Sequence, residues 1–363
     1  MRPWLFALAL LLCQPSDAQT DSAYAFFVAG HTYGRAGVDN AGLHPPFVSM
    51  FGYLRQQDKL RFGILTGDMV SANPDAQDWD EVDRHLDSLG LPVFFAAGNH
   101  DVEDRPLYES RYGRTYYHFR FGNDLFLVLD PNLDRWNISG GQLEYLRQVL
   151  ATEANSARNI FVFFHQVLWW QPHNQHRYIQ PNSLAGRAPT INFWTEVMPL
   201  FEALPNPVAL FAGDLGAKPG NTAVSYHQYA NIRLIGSGMG GGTQDNVIVA
   251  HVTPEGTINF DLVCLHSENP HCLGALPDYQ RFAAIHKRFR AYPNPTHGVL
   301  SVALDAGLPA TIRLSDFSGK CLREVHTQQE ETAQLDVHGL ARGLYVLEVS
   351  TAHGTAVSKV MID

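Results

Sequence analysis

The stretch Val93-Phe94-Phe95-Ala96-Ala97-Gly98-Asn99-His100-Asp101 joins a short apolar run to a glycine and a group of polar side chains. Nearly continuous apolar runs of this length are typical of strands that are buried on both faces. Four other runs have the same form, and each ends on a residue that can bind a metal. They are Phe26–His31, Phe62–Asp68, Ile160–His165 and Val208–Asp214.

The polar ends of these runs are predicted to meet. In a layered α/β sheet the carboxyl ends of the strands open onto one crevice. Imidazole, carboxylate and amide oxygen in one pocket suit a divalent transition metal better than a nucleophilic triad. A single Asp or Asn after a strand commonly only caps the next helix, but the recurrence favours a shared site. The candidate ligands are His31, Asp68, Asn99, His165 and Asp214.

Length and composition indicate a globular protein of two domains. The chain has 363 residues, of which 45% are hydrophobic and 11% aromatic. Its formal net charge is −10, from 26 Lys and Arg against 36 Asp and Glu, and no basic stripe is evident. We therefore expect no binding to nucleic acid.

The first 18 residues have the pattern of an export signal. Arg2 precedes an apolar stretch from Leu5 to Leu12, and Ser16-Asp17-Ala18 supplies a small-residue cleavage site before Gln19. This apolar stretch is too short to span a bilayer, and no later segment is predicted to be transmembrane. Lipidation at Cys13 is disfavoured because Leu12 precedes it.

Residues 19–263 are predicted to form one α/β domain, since apolar runs alternate with helical patterns. A hairpin is predicted from Thr115 to Asp130 around Gly122-Asn123-Asp124. The predicted helices are Phe47–Gln57, Ala76–Leu89 and Gly141–Leu150, and the predicted later strands are Ile232–Ile235, Asn246–Val252 and Thr257–Val263.

The remainder of the chain has a different character. Residues 264–290 contain two prolines and a basic patch from His286 to Arg290, and we interpret them as a linker. Residues 291–363 show short alternating segments that predict a small all-β sandwich. The spacing of Cys264 and Cys272 permits a local disulfide that leaves Cys321 free.

Three of the strand-end motifs resemble those of the calcineurin-like metallophosphoesterases. Gly67-Asp68-Met69-Val70 and Gly98-Asn99-His100-Asp101 are similar to the second and third motifs of that family, and His165 is similar to the fourth. The resemblance covers roughly residues 24–263. It implies a four-layer α/β/β/α sandwich that hydrolyses phosphate esters at a two-metal centre.

The chain departs from that family at two motifs. The first is Asp-x-His in the family, but Ala29-Gly30-His31 lacks the carboxylate. The fifth is Gly-His-x-His, but Gly213-Asp214-Leu215-Gly216 lacks both histidines. One metal would keep only His31 and Asp68. The other would keep Asp68, Asn99 and His165, with Asp214 replacing a histidine, so we expect one divalent ion (Fe, Mn or Zn) per chain.

Three further features bear on the site. The resemblance implies that His100 protonates the leaving group, although a supporting role beside the ligands is the alternative. His173 and His176 are candidate replacement ligands, although loop histidines are more often surface groups. The glycine-rich segment Gly236–Thr243 precedes no helix, so we predict a close-packed loop near the pocket and not a nucleotide site.

The end of the chain resembles the C-terminal sorting domain of type IX secretion cargo. The matching segments are Tyr292–Gly298, Asp316–Lys320 and Leu340–Leu347, with Lys359-Val360 near the terminus. The resemblance implies handling by the type IX secretion machinery. The protein would pass through the periplasm and be secreted or held at the cell surface.

Two functions are open at this point. The first is a secreted metal-dependent phosphoesterase that acts on a small-molecule or surface phosphate ester. The second is a cell-surface binding protein that keeps the fold with weak or no activity, since fold does not fix function.

Overall fold

The computed structural model describes residues 22–35, 37–38, 42–266, 289–304, 309–316, 320–328, 330, 332–351 and 354–363. The predicted export signal, Cys13, Cys272, most of the predicted linker and the middle of the Asp316–Lys320 segment lie outside these residues.

Eighteen strands are found within the described residues: β1 Tyr24–Ala29, β2 Leu60–Leu65, β3 Val93–Phe95, β4 Tyr117–Phe121, β5 Asp124–Val128, β6 Ile160–Phe164, β7 Val208–Ala212, β8 Val224–Tyr229, β9 Ile232–Ser237, β10 Asn246–Val252, β11 Ile258–Cys264, β12 Phe289–Tyr292, β13 Val299–Leu304, β14 Ala310–Ser315, β15 Cys321–Thr327, β16 Thr332–Asp336, β17 Gly343–Thr351 and β18 Gly354–Ile362. The α-helices of the same part are α1 Pro45–Ser49, α2 Phe51–Arg55, α3 Ala76–Leu89, α4 Arg105–Tyr112, α5 Gly140–Glu153 and α6 Met198–Glu202. Short 3₁₀ turns cover Pro131–Asp134 and Ala154–Ser156, and one π-helical turn covers Phe193–Val197.

The first eleven strands form two sheets. One has the order β11-β10-β1-β2-β3, and β1, β2 and β3 run parallel. The other has the order β4-β5-β6-β7-β9-β8, and β5, β6, β7 and β9 run parallel. All five of the predicted apolar runs contain a strand, and each candidate ligand lies one to four residues beyond its strand end.

The two sheets pack face to face on an aromatic core. The ring of Phe26 is fully buried, 5.5 Å from Phe62 of its own sheet and 4.9 Å from Phe161 of the other. Alternate residues of β1, such as Phe27, face the opposite way and pack with Phe47 and Trp79 of the helices. Leu146 of α5 covers the outer face of the second sheet. The layers are therefore α/β/β/α, as predicted.

Helix α3 shows how local sequence positions these layers. The Asp75 side chain accepts hydrogen bonds from the backbone N–H groups of Gln77 and Asp78, and the Asp78 side chain accepts one from the backbone N–H of Asp75. Gly90 ends the helix in the left-handed conformation. The predicted bounds of this helix are confirmed.

Two sequence-based predictions differ from the structure. The helix predicted over Phe47–Gln57 is two short helices, because Pro45 and Pro46 start the first one earlier and the N–H of Met50 bonds to the Phe47 carbonyl, which closes its last turn. The stretch between the two sets of sheets is also shorter than the predicted linker 264–290, since β11 runs to Cys264 and β12 begins at Phe289. The division into domains stays a prediction.

The last seven strands form two small antiparallel sheets. Their orders are β12-β13-β16 and β15-β14-β17-β18. Leu300, Ile312 and Leu347 are fully buried in a separate apolar core, which agrees with the predicted all-β sandwich.

Cys264 is disulfide-bonded, whereas Cys321 is free and exposed. None of the helices among the described residues has the length and hydrophobicity that a membrane span requires.

Candidate metal centre

The chain turns sharply after β1 and after β2. His31 and Asp68 both adopt positive φ angles, of 53° and 54°, and Gly67 has a φ of 88°. Non-glycine residues take this conformation rarely, and such outliers cluster at functional sites. These turns direct two candidate ligands toward each other, since His31 Nε2 lies 3.6 Å from Asp68 Oδ2.

The motif after β3 packs directly on Asp68. A Cβ atom at Gly98 would lie 2.2 Å from both the amide nitrogen and Oδ1 of Asp68, so only glycine fits there. The backbone N–H of His100 donates a 3.2 Å hydrogen bond to Asp68 Oδ1. Asn99, between these two residues, is thereby held beside Asp68 by its position in the chain.

Asp101 holds the loop after β3 in place through hydrogen bonds to backbone N–H groups. Its fully buried carboxylate accepts hydrogen bonds from the N–H groups of Asp68 at 2.8 Å, Met69 at 2.8 Å and Gly98 at 2.7 Å. Burial raises the pKa of Asp101 to about 6. This side chain therefore fixes the loops after β2 and β3 against one another.

Three buried side chains from three strand ends form a group that can hold a metal: Asp68, His165 and Asp214. His165 Nε2 lies 3.3 Å from Asp68 Oδ2 and 3.8 Å from Asp214 Oδ1. Ligand atoms around a tetrahedral ion with bonds of about 2.0–2.2 Å lie roughly 3.3–3.6 Å apart. The spacing therefore suits one ion among the three side chains.

Two buried atoms of this group make no hydrogen bond. His165 Nδ1 contacts the Thr66 carbonyl at 2.7 Å, so this nitrogen carries the proton and donates it there. His165 Nε2 and Asp214 Oδ2 are buried without a hydrogen-bond partner. Buried polar atoms rarely stay unpaired, and a metal-binding imidazole commonly donates its other N–H to a carbonyl. These donors fit a divalent ion.

The electrostatics of the group point the same way. Burial works against ionisation of Asp68, but the positive field of His165, whose Nε2 lies 3.3 Å away, outweighs it and lowers the pKa of Asp68. Burial lowers the pKa of His165, but Asp68 and Asp214 outweigh it and raise this pKa to about 10. Burial raises the pKa of Asp214 to about 8. Two carboxyl groups this close require a positive charge between them, which a proton or a metal ion supplies.

His31 stands beside the three-residue group and is not part of it. Its Nδ1 contacts the carbonyl of Met239 at 3.1 Å, and burial lowers its pKa to about 4. Ala29, at the place of the missing carboxylate, is fully buried. Met239 belongs to the glycine-rich loop, which packs closely here as predicted, since a Cβ at Gly238 would lie 2.0 Å from the Leu215 carbonyl oxygen.

His100 lies at the edge of the site and carries an acidic partner. Its Nδ1 is 2.9 Å from Oε1 of Glu103, and its side chain is 25% exposed. The Tyr33 ring lies between the two candidate histidines, 5.7 Å from His100 and 4.4 Å from His31. A carboxylate that orients an imidazole is a common arrangement in acid–base catalysis.

The two loop histidines are not brought to this group. His173 is exposed. His176 is buried, but its ring lies 5.8 Å from Trp194 and 4.8 Å from His227. The sequence analysis assigned no role to Asp101 or Glu103. Their position one and three residues after His100 is the signal that could have indicated one.

Comparison with known proteins agrees with this geometry. The calcineurin-like phosphoesterase family matches residues 31–215, and the secretion system C-terminal sorting domain matches residues 290–363. No curated protein sequence matches the chain.

Two solved structures are similar to the chain. The purple acid phosphatase PPD1 from yellow lupin (Lupinus luteus) is 12% identical with a TM-score of 0.51, and the match covers 69% of this chain but only 53% of the phosphatase chain. A Staphylococcus aureus protein assigned as a 5′-nucleotidase, solved with alpha-ketoglutarate, is 10% identical with a TM-score of 0.45 and covers 94% and 89% of the two chains. Only the first TM-score exceeds 0.5, so we use only the first structure for comparison. At 12% identity its similarity concerns the fold alone. On its matched sequence region, the chain belongs to the calcineurin-like phosphoesterase family and ends in a type IX secretion C-terminal sorting domain.

Proposed function

We propose that this protein is an exported metal-dependent phosphoesterase that hydrolyses a phosphate ester with an activated water. The observation that carries the proposal is the buried group of Asp68, His165 and Asp214, in which His165 Nε2 and Asp214 Oδ2 have no hydrogen-bond partner. Membership of the phosphoesterase family supports the reaction class.

The proposed ligands are Asp68, Asn99, His165 and Asp214. A carboxylate can replace an imidazole in such a set, so Asp214 is compatible with binding at the place where the family has a histidine. A divalent ion held there supplies a water of lowered pKa and offsets negative charge on the phosphate. Asp101 keeps Asp68 and the Asn99 loop in place through its backbone hydrogen bonds.

His100 is proposed as the proton donor to the leaving alkoxide. Its partial exposure supports this role, and the contact of Glu103 with Nδ1 would orient the ring. The opposite ring nitrogen, Nε2, would donate to the leaving group when the ring also carries a proton there.

One ion at this centre is proposed. His31 and Asp68 alone would have to hold a second one there, and two protein ligands rarely retain a transition metal. One ion would offset less of the charge that develops in the reaction than two would, so we expect slower turnover than at a two-metal centre.

Export through the type IX machinery is proposed for the whole chain, with delivery to the medium or the cell surface. The match of residues 290–363 to the sorting domain supports this, and residues 1–18 are the proposed export signal.

Hydrolysis by the purified mature chain tests the function. The chain is stripped with EDTA, reloaded with Mn²⁺, Fe²⁺ or Zn²⁺, and assayed with 4-nitrophenyl phosphate and bis(4-nitrophenyl) phosphate. We expect metal-dependent hydrolysis that Asp68→Asn abolishes and that Asp261→Asn, a change in a surface carboxylate paired with His251, leaves intact. A chain that binds metal but hydrolyses neither ester would instead favour the binding-protein alternative.

A further inference from the structure

A second group of metal-binding side chains lies outside the candidate centre. It consists of His44, Asp245 and His266. Asp245 Oδ2 lies 2.8 Å from His266 Nε2 and 3.5 Å from His44 Nε2. The three residues come from the segment before α1, the segment before β10 and the residues after β11.

Asp245 is held rigidly in place. Its side chain is fully buried, and its two oxygens accept hydrogen bonds from the N–H groups of Gly240 at 3.0 Å, Gly241 at 2.7 Å and Gly242 at 3.1 Å. A carboxylate fixed in this way presents its charge toward the two imidazoles without needing to rearrange.

His44 gives an independent indication of a missing partner. The residue is 6% exposed, and neither of its ring nitrogens has a hydrogen-bond partner. A Cβ at Gly34 would lie 2.2 Å from His44 Nδ1, so the ring is packed against that glycine with Nε2 toward Asp245. Nε2 has only the 3.5 Å contact with Asp245, so burial of this imidazole is costly unless a further group binds that nitrogen.

The donor set identifies what would bind. Two imidazoles and one carboxylate are the ligands of Zn²⁺ and of similar divalent transition metals. The 3.5 Å between His44 Nε2 and Asp245 Oδ2 is close to the roughly 3.3 Å expected between ligands of a tetrahedral ion, whereas the 2.8 Å between His266 Nε2 and Asp245 Oδ2 is a hydrogen bond that a bound ion would replace. The side chain of His266 is 29% exposed, so this side of the group is in contact with solvent.

We propose that His44, Asp245 and His266 bind a second divalent cation of the Zn²⁺ class, in addition to the ion at the candidate centre. This ion would tie the segment before α1 and the end of β11 to the glycine-rich loop. That loop also presents the Met239 carbonyl to His31 Nδ1, so the second ion stabilises one wall of the candidate centre.

Metal stoichiometry of the untagged full chain tests the proposal. The EDTA-stripped chain is titrated with Zn²⁺ by calorimetry, and the dialysed product is analysed by elemental mass spectrometry. The expected content is two ions for the parent chain, one for His266→Gln, one for Asp214→Asn and none for the double variant. His266 is partly exposed, so its substitution should not prevent folding, which circular dichroism checks. His44→Gln should also lower the content to one ion. If the His44→Gln chain does not fold, the result for His266→Gln alone decides.

The matched control is His251→Gln. His251 also pairs with a carboxylate, 3.0 Å from Asp261, and is 34% exposed, but it belongs to neither group. It should keep two ions. If folded His266→Gln binds as many ions as this control, the second site is wrong. A parent chain with one ion that Asp214→Asn removes would also refute it while leaving the proposed function standing. A single ion that only His266→Gln removes would support the second site and contradict the first.

Discussion

His165 Nε2 lies 3.3 Å from Asp68 Oδ2, and this contact joins the two sheets of the sandwich at their carboxyl ends. Asp68 follows β2 of the first sheet, and His165 follows β6 of the second. The bond from His165 Nδ1 to the Thr66 carbonyl also crosses between the sheets. In the neutral ring it fixes the tautomer whose Nε2 lone pair can bind a metal. The candidate centre is thus part of the packing of the fold.

Removal of the Asp214 charge should weaken metal binding far more than loss of His31. Asp214 belongs to the buried three-residue group, whereas His31 approaches it from the side. Loss of a residue that only supports a ligand typically lowers metal affinity 10–100-fold. Asp214 is a proposed direct ligand, so we expect Asp214→Asn to lower the affinity at least about 100-fold. For His31→Gln we expect a loss of less than about 10-fold. Zinc calorimetry on the His266→Gln background isolates this centre. Equal losses for the two variants would argue against the proposed ligand set.

Metal binding should release protons and strengthen as the pH rises. Without a metal, the pKa of His165 is raised to about 10 and that of Asp214 to about 8, so at pH 7 both groups carry a proton. The ion requires both to be deprotonated, and the metal-free state therefore binds more protons and is favoured at low pH. Calorimetry at pH 7 in buffers of different ionisation enthalpy should show that binding of each ion at this centre releases more than about one proton. Binding to the Asp214→Asn chain should release roughly one proton fewer. Affinity that is constant from pH 6 to 8 would contradict the assignment.

The role of His100 can be tested with leaving groups of different basicity. A proton donor matters more when the departing alkoxide is a strong base, so His100→Asn should slow phenyl phosphate by about 100-fold or more and 4-nitrophenyl phosphate much less. Glu103→Gln should act in the same direction but more weakly, because it loosens the orientation of the ring. The measurement is kcat for both esters at equal metal occupancy. A loss of equal size for both esters would assign His100 a supporting role.

Removal of the sorting domain should block export without unfolding the rest of the chain. The deletion should run from Phe289 to Asp363, because β12 begins at Phe289 and a cut at Ala291 would divide that strand. We expect the shortened chain to accumulate in the periplasm and to bind metal as the full chain does, since its apolar cores are separate from that of the deleted part. Immunoblots of cell fractions check this, with Cys321→Ser in the full chain as the control. Normal surface delivery of the shortened chain would overturn the sorting assignment.

The features that could be predicted from sequence are those encoded locally. The apolar runs ending at His31, Asp68 and Asp214 predict both the strands and the crevice, because strand ends share one edge of a sheet. The bounds of α3 follow from Asp75 and Gly90.

Contacts between distant loops could not be predicted in this way. His44 meets Asp245 only after the segment before α1 and the glycine-rich loop have packed together, and no spacing in the sequence signals this pair. The role of Asp101 likewise depends on the turn at Asp68, whose N–H it binds.

Anomalous diffraction from crystals of the metal-loaded full chain, recorded on both sides of the absorption edge of the added metal, tests the central claim most directly. We predict a strong peak within bonding distance, about 2.0–2.3 Å, of Asp68, His165 and Asp214. Well-ordered side chains at this position with no anomalous peak among them would contradict the account.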